Sequence, residues 1–160
     1  MRPWVKKSFY VAVILLLIAQ FFPPSRTNPP TDPTRSIHAS LAMEPVVSSA
    51  LARACNDCNS NQTVWPWYSK VAPASWLVVS DVKRGRKALN FSEWTSLSPE
   101  KQHDVLPEIC QEVADWDMPT EEYILMHPGA KLSRSEINLI CTWAHSAAVV
   151  GLERAQKDER

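Results

Sequence analysis

The apolar residues of this chain recur at helical rather than strand spacing. Stripes with intervals of three and four residues follow Glu44, Pro73, Ser98 and Ser133. No segment alternates apolar and polar residues with the period of two that a half-buried strand shows. Glycine is scarce, with three in 160 residues, which disfavours a fold rich in tight hairpins. The pattern therefore predicts an all-α fold.

Local signals place the helix ends. A first helix is expected from about Glu44 to Ala54, and Pro73 suits the first position of a second helix that Gly85 would end. Ser98-Pro99-Glu100 is a typical helix start, with a capping serine, a proline and an acid. Ser133 and Glu136 have the spacing of a capping box, which predicts the start of the last helix.

The N-terminus has the pattern of an export signal. Three basic residues, Arg2, Lys6 and Lys7, precede an apolar run from Phe9 to Phe22. No convincing cleavage site follows, so residues 1–24 are expected to form a signal-anchor helix, with removal as a signal peptide as the alternative. The charge order predicts a cytoplasmic N-terminus and places the rest of the chain on the periplasmic side of the membrane.

The remaining chain divides by composition. Residues 25–36 are rich in proline and are expected to be an extended spacer. Residues 37–155 are long enough for one domain, and residues 156–160 form a charged tail. The tryptophans expected to help form its core are Trp65, Trp67, Trp76, Trp94, Trp116 and Trp143.

Charge gives little information about partners. Lysine plus arginine equals aspartate plus glutamate, 17 each, so no nucleic-acid partner is expected. The basic cluster Lys83–Lys87 is interpreted as a solvated face, with a docking patch for an acidic partner as the alternative. Two of the four cysteines, Cys110 and Cys141, lie in predicted helices and are expected to be free and buried, with a disulfide between them as the alternative.

The other two cysteines carry the most specific chemistry. Cys55 and Cys58 are separated by two residues, a spacing used for covalent haem, for metals and for reversible disulfides. The haem motif continues with histidine, but Asn59 stands here, and a carboxamide is a poor iron ligand beside imidazole. Downstream, Met118-Pro119 offers a thioether on a loop, the arrangement of a methionine axial ligand. This order of parts is that of a small c-type cytochrome.

At this point the chain resembles the bacterial cytochrome-c-like haem-binding domain family. The residues that carry the resemblance are Thr27–Pro33, Cys55–Ser69, Ala72–Trp76, Asp81–Val82, Gly85–Arg86, Leu89–Trp94, Met118–Pro119, Tyr123, His127–Ser133 and Trp143. They cover nearly the whole part that follows the N-terminal helix. The resemblance implies a small cytochrome-c-like helical domain that carries haem c.

The resemblance also assigns site residues. Cys55 and Cys58 match the attachment cysteines, and Asn59 stands at the position of the histidine ligand. Met118 matches the methionine of the Met-Pro loop, and His127 is the other candidate to ligate iron. The aromatic side chains of Trp65 and Trp67 are expected to line the haem and exclude water.

The function expected is an exported, membrane-anchored haem protein that transfers single electrons or senses redox state or gas. It would work with redox partner proteins in the periplasm, and it is not expected to be an enzyme. The alternative is a haem-free, degenerate interaction domain with a Cys55–Cys58 disulfide. A thioredoxin-like module lacks its β-α-β pattern here, and a zinc site lacks a second ligand pair.

Overall fold

The structure of the protein is a computed structural model that describes the backbone of residues 2–158 and the side chains of residues 2–151. All regular structure in residues 2–158 is helical, which confirms the predicted fold class. The α-helices are α1 (Pro3–Ala19), α2 (Ile37–Ser40), α3 (Pro45–Ala54), α4 (Asn56–Asn59), α5 (Ala74–Ala88), α6 (Pro99–Ala114), α7 (Glu121–Met126) and α8 (Arg134–Asp158). Short 3-10 helices cover Pro33–Arg35, Trp67–Lys70, Phe91–Ser96 and Pro128–Ala130.

The predicted caps form. The Ser98 hydroxyl accepts from the Lys101 amide, and Pro99 takes the first position of α6. Ser133 and Glu136 close a reciprocal capping box, because the Ser133 amide donates to Glu136 at 2.8 Å and the Glu136 amide donates to Ser133 at 3.3 Å. These bonds satisfy amides that the first turn of a helix cannot pair internally.

The hydrophobic core lies where α3, α6 and α8 meet. Its most buried side chains include Leu51, Val105 and Ile140, with Trp94 inserted from the 3-10 helix at Phe91–Ser96. Of the six tryptophans expected in the core, Trp94 and Trp143 are buried, whereas the others are half-buried or exposed. The remaining aromatic surface is therefore available at the outside of the domain.

A disulfide links α6 to α8. Cys110 and Cys141 are bonded, so the expectation of two free buried thiols is wrong and the alternative pairing is correct. Helical spacing placed each cysteine on the inner face of its helix but gave no information on the register between the two helices. Packing of α6 against α8 brings their Cα atoms to 4.5 Å, within the range that a disulfide spans.

The second helix passes through Gly85 and ends at Ala88, three residues later than predicted. The last helix continues to Asp158, so residues 156–158 of the expected charged tail are helical, and residues 159–160 lie outside the described residues. Among the described residues no helix has both the length and the apolar character needed to cross a membrane. The expected transmembrane anchor is thus not supported: α1 forms, but it has 17 residues and a bilayer core needs about 20.

The proline-rich segment is not a free spacer. Residues 20–36, here called the strap, lie along the domain and are held by hydrogen bonds. Gln20 bonds the backbone of Ala72 in both directions, Arg26 donates to the Ser69 carbonyl at 3.1 Å, and Asn28 donates to the Thr63 carbonyl at 2.9 Å. Extended proline-rich backbone has no internal hydrogen bonds, so its polar groups are free to pair with a neighbouring surface.

Candidate functional site

The cysteine pair lies at the corner between α3 and α4. Cys55 ends α3, and the amides of Cys58 and Asn59 donate to its carbonyl oxygen at 3.1 and 2.8 Å. This single turn places Cys55 directly before α4 and Cys58 within it, three positions apart. Both are free thiols, unlike Cys110 and Cys141.

Both thiols are held in their protonated form. Burial, with the nearby Cys58 adding to it, raises the pKa of the Cys55 thiol to about 12. Burial also raises the pKa of Cys58 to about 11, with Asp57 and Asp81 adding to the shift and Arg86 opposing it. A redox-active pair needs a cysteine of low pKa, because only the thiolate is a good nucleophile. Neither cysteine of the folded chain has such a pKa.

Asn59, which follows the pair, clamps the end of α5. Its side-chain nitrogen donates to the carbonyl oxygens of Gly85 at 3.1 Å and Leu89 at 3.0 Å. The Gly85 carbonyl also accepts the amide of Leu89, the residue that caps α5, at 2.9 Å, whereas the Leu89 carbonyl has Asn59 as its donor. Asn59 therefore completes the end of α5, a role that the sequence did not reveal.

Gly85 allows α4 and α5 to approach closely. A Cβ atom built on Gly85 would lie 2.6 Å from the carbonyl oxygen of Cys58, closer than two such atoms can come. The hydrogen bonds from Asn59 to the carbonyl oxygens of Gly85 and Leu89 also join α4 to α5 at this point. Gly85 faces the cysteine corner, where a side chain would not fit. Its role is to provide this space within α5 and not to end the helix.

An aromatic cluster adjoins Asp57, one of the two residues between the cysteines. The Tyr123 hydroxyl donates to the Asp57 carboxylate at 2.7 Å, and burial, together with this bond, raises the pKa of Tyr123 well above its usual value. The ring of His127 stacks on Tyr123 with 4.3 Å between centroids, and Tyr68 lies 6.1 Å from His127 on another side. Tyr68, Tyr123 and His127 are called the aromatic cluster below.

The surroundings of His127 fix its tautomer. Its Nδ1 lies 3.2 Å from the carbonyl oxygen of Tyr123, which can only accept a hydrogen bond. Nδ1 therefore carries the proton in neutral His127, and the lone pair is on Nε2. Metal-binding histidines commonly have this arrangement, with a carbonyl holding the nitrogen that does not bind the metal.

The other expected site residues lie outside the cysteine turn, and Trp67 packs edge-on against Tyr68 of the aromatic cluster with 5.8 Å between ring centroids. Met118 is 40% exposed on the loop after α6, where its amide and that of Asp117 donate to the Glu112 carbonyl. Trp65 is half-buried and donates to Asn28 of the strap at 3.2 Å. Trp67 is 71% exposed. Among the described contacts, none joins Met118 to the cysteine corner, whereas Tyr123 joins His127 to it.

Sequence reasoning missed the roles of four residues at this corner: Asp57, Tyr68, Arg86 and Tyr123. Arg86 connects the strap to the loop after α4: it donates to Ser60 at 2.7 Å and to Asn28 and Thr63 at 2.8 Å each. Tyr68 and Arg86 belong to the segments that carry the family resemblance, but their residue types alone did not indicate what they contact. The position of Asp57 between the two cysteines was the available signal for its role.

A model of the haem-binding domain family matches residues 14–146, which is most of the chain and includes the cysteine corner and the aromatic cluster. The chain belongs to the haem-binding domain family. Comparisons with curated proteins and with solved structures gave no match.

Membership of the haem-binding domain family makes haem the group to test against this corner. Two free thiols on one turn match the chemistry of thioether attachment. The buried side-chain oxygen of Asn56, between them, accepts no hydrogen bond within the described residues, which leaves an acceptor for another molecule. Asn59 fits less well, because its amide nitrogen is bonded to α5 and an amide oxygen is a weak iron ligand. Within the described part of the chain, no three His, Cys, Asp or Glu side chains are grouped to hold a metal ion by themselves.

Proposed function

We propose that this chain is an exported c-type haem protein that transfers single electrons or senses redox state or gas. The observation that carries the proposal is the location of two free thiols beside the aromatic cluster in a member of the haem-binding domain family. A bound haem would supply an iron that changes oxidation state by one electron. No substrate chemistry is needed, and the proposal includes no enzymatic activity.

Cys55 and Cys58 would hold the porphyrin through thioether bonds. Cys55 is half-buried in the folded chain, and its raised pKa keeps it unreactive. Attachment is therefore expected before the corner closes, while both thiols are accessible. Closure would then place Gly85 against Cys58 and the Asn59 amide on α5, and the attached group would be held next to the aromatic cluster.

His127 is the side chain proposed to bind iron. Its Nδ1 is held by the Tyr123 carbonyl, so Nε2 presents a lone pair without any change of tautomer. The stacked ring of Tyr123 restricts rotation of the imidazole. The hydrogen bond from Tyr123 to Asp57 connects the stacked pair to the turn that carries the cysteines. Met118 has no such support and remains the second candidate. With His127 as its one protein ligand, a bound haem could also bind a small molecule, which would suit sensing better than fast electron transfer.

The basic and apolar N-terminal sequence supports export, and the proposed location of the domain is the periplasm, where its proposed partners are redox proteins. Exported chains meet an oxidising environment, in which the Cys110–Cys141 disulfide is stable. The strap then has the role of connecting α1 to the domain along a fixed path rather than as a loose tether.

The test is production of the full chain with and without a cytochrome c maturation system. Covalent haem is expected on a denaturing gel by haem stain, with one haem added to the intact mass. Cys55→Ala and Cys58→Ala should each leave a single weaker attachment, and the double variant should have none. A product without haem, from cells that load a control cytochrome, would reject the proposal.

The iron ligand is tested by optical and resonance Raman spectra of the loaded protein. His127→Ala should shift the spectrum and the midpoint potential, whereas Met118→Ala, on the exposed loop, should change them little. The opposite result would assign the ligand to Met118. Asn59→His tests whether an imidazole after the cysteine pair reaches the iron, which would give six-coordinate low-spin haem.

A second candidate function is a haem-free interaction domain in which Cys55 and Cys58 form a disulfide. The use of Asn59 as a clamp on α5, in place of the usual histidine, favours it. In that case the protein isolated from the periplasm of its native host has no pigment. Its intact mass is four hydrogens below that of the fully reduced chain, because both cysteine pairs are bonded. A loss of only two hydrogens, with haem attached, excludes it.

A further inference from the structure

One face of α5 carries an open cavity with basic walls, on another side of the helix from the cysteine corner. The cavity has a volume of about 360 Å³ and is closed at one edge by Pro24 of the strap. The residues from α5 that line it recur at the spacing of a single helical face: Trp76, Val79, Ser80, Lys83, Arg84 and Lys87. The haem site proposed above uses none of them.

The charges of this cavity are not balanced by neighbours. Arg84 is paired with Asp81 one turn away, but Lys83 and Lys87 form no ion pair with any described residue. Arg86, in the same basic cluster, points to the strap and is bonded there. With no net charge on the whole chain, Lys83 and Lys87 form a local excess of positive charge around the cavity.

Exposed apolar side chains lie next to the same cavity. The indole nitrogen of Trp76 donates to the Phe22 carbonyl at 3.0 Å, and Gln20 is bonded to Ala72, so the end of α1 is fixed beside the start of α5. Phe21, Phe22 and Leu77 are all more than half exposed here, and α1 exposes apolar side chains along its length. Such exposed apolar surface beside positive charge is typical of a surface that meets lipid.

We infer that this face, formed by the α5 cavity and the end of α1, docks onto a bilayer surface and takes an anionic phospholipid headgroup into the cavity. Lys83 and Lys87 would bind the headgroup phosphate, and Trp76 would lie at the level of the headgroups, where tryptophan is favoured. Phe21, Phe22 and Leu77 would contact the upper acyl region. An acidic protein would satisfy the lysines but would leave this apolar rim and α1 uncovered, so lipid is the better occupant. The inference requires neither haem nor a transmembrane helix.

The experiment measures the rate at which each lysine of the full-length chain is acylated, by mass spectrometry, in the presence of lipid vesicles. Vesicles of phosphatidylcholine with phosphatidylglycerol are compared with vesicles of phosphatidylcholine alone. Labelling of Lys83 and Lys87 is expected to slow by about threefold or more on the anionic vesicles. Lys101 and Lys131, which are exposed on α6 and before α8, are internal controls whose rates should change little.

Two matched variants separate this face from the basic N-terminus, which also attracts anionic lipid. Lys83→Gln/Lys87→Gln and Lys101→Gln/Lys131→Gln each remove two charges. Only the first should lose the preference for anionic vesicles in a flotation assay, by roughly tenfold. Equal behaviour of the two variants, or equal labelling on both vesicle types, would overturn the inference. Protection of the two lysines by inorganic phosphate alone, at the same phosphate concentration, would assign the cavity to a free anion instead.

Discussion

The side-chain nitrogen of Asn59 donates to the carbonyl oxygen of Leu89 at 3.0 Å. The two residues are 30 positions apart, and the bond joins the turn that carries the cysteines to the end of α5. A second bond from the same nitrogen reaches Gly85. The residue that occupies the usual ligand position thus stabilises the corner at which the thiols lie.

Replacement of Asn59 tests this clamp. Asn59→Ala should lower the free energy of unfolding by about 1–3 kcal/mol, because the Leu89 carbonyl loses its donor and the Gly85 carbonyl keeps only its bond from the Leu89 amide. The change is measured by urea unfolding, with circular dichroism as the signal that monitors the loss of helix. Asn138→Ala, at an exposed position on α8, is the matched control and should change stability by less than about 0.5 kcal/mol. Equal effects of the two substitutions would show that the clamp contributes nothing.

Gly85→Ala tests the close contact between α4 and α5. The added methyl group would meet the Cys58 carbonyl at 2.6 Å, so the two helices must separate. We expect a loss of about 1–3 kcal/mol in the free energy of unfolding, despite the higher helix propensity of alanine. In Gly129→Ala, by contrast, the new methyl group has open space, and the midpoint of thermal unfolding should stay nearly unchanged. A Gly85→Ala protein at least as stable as the original would refute the contact.

Arg86 is expected to hold the strap on the domain. Arg86→Ala removes its bonds to Ser60, Asn28 and Thr63, and should lower stability by about 1–3 kcal/mol. Release of the strap should also speed tryptic cleavage after Arg26, which mass spectrometry of the fragments detects. Arg84→Ala removes an exposed arginine two residues away and should leave that cleavage rate unchanged. Equal cleavage of all three proteins would mean that the strap does not depend on Arg86.

The haem-free folded chain should resist thiol alkylation. The pKa of Cys58 is raised to about 11 and that of Cys55 to about 12, both well above the ordinary value of a thiol. Iodoacetamide labelling against pH should therefore have a midpoint near pH 11 for Cys58 in the folded chain, and close to the ordinary value of about 8.5 in urea. Cys110 and Cys141 are bonded and serve as internal controls that do not label. A folded midpoint equal to the one in urea would contradict the burial of these thiols.

The same shifts have a consequence for stability. The folded state keeps the protons of both thiols to a higher pH than the unfolded state does. The stability that the two protonated thiols contribute is therefore complete below about pH 9 and is lost as the pH rises through about 11 to 12. The difference in unfolding free energy between the parent chain and Cys55→Ala/Cys58→Ala should decrease over that range. A difference that stays constant with pH would show that the thiols titrate alike in both states.

Residue patterns along the chain were sufficient for the helices and their caps. Apolar spacing and the signals at Ser98 and Ser133 depend on neighbours within a few positions, so they can be read without knowledge of the fold. Glycine within an apolar pattern has two interpretations, because it can end a helix or allow another backbone to approach. Gly85 was expected to end a helix, because glycine is common after helix ends, but here it provides room for Cys58.

The sequence by itself determined that the chain is helical, that it carries a Cys-x-x-Cys pair followed by asparagine, and that it resembles haem-binding domains. Only the tertiary structure decided what long-range contacts create: the Cys110–Cys141 bond, the course of the strap, the joining of His127 to Asp57 through Tyr123, and the bonds of Asn59. The physical reason is that a helix is specified by hydrogen bonds and apolar spacing within a few residues. The partner of a side chain 30 or more positions away depends on how whole helices pack, which no local pattern encodes.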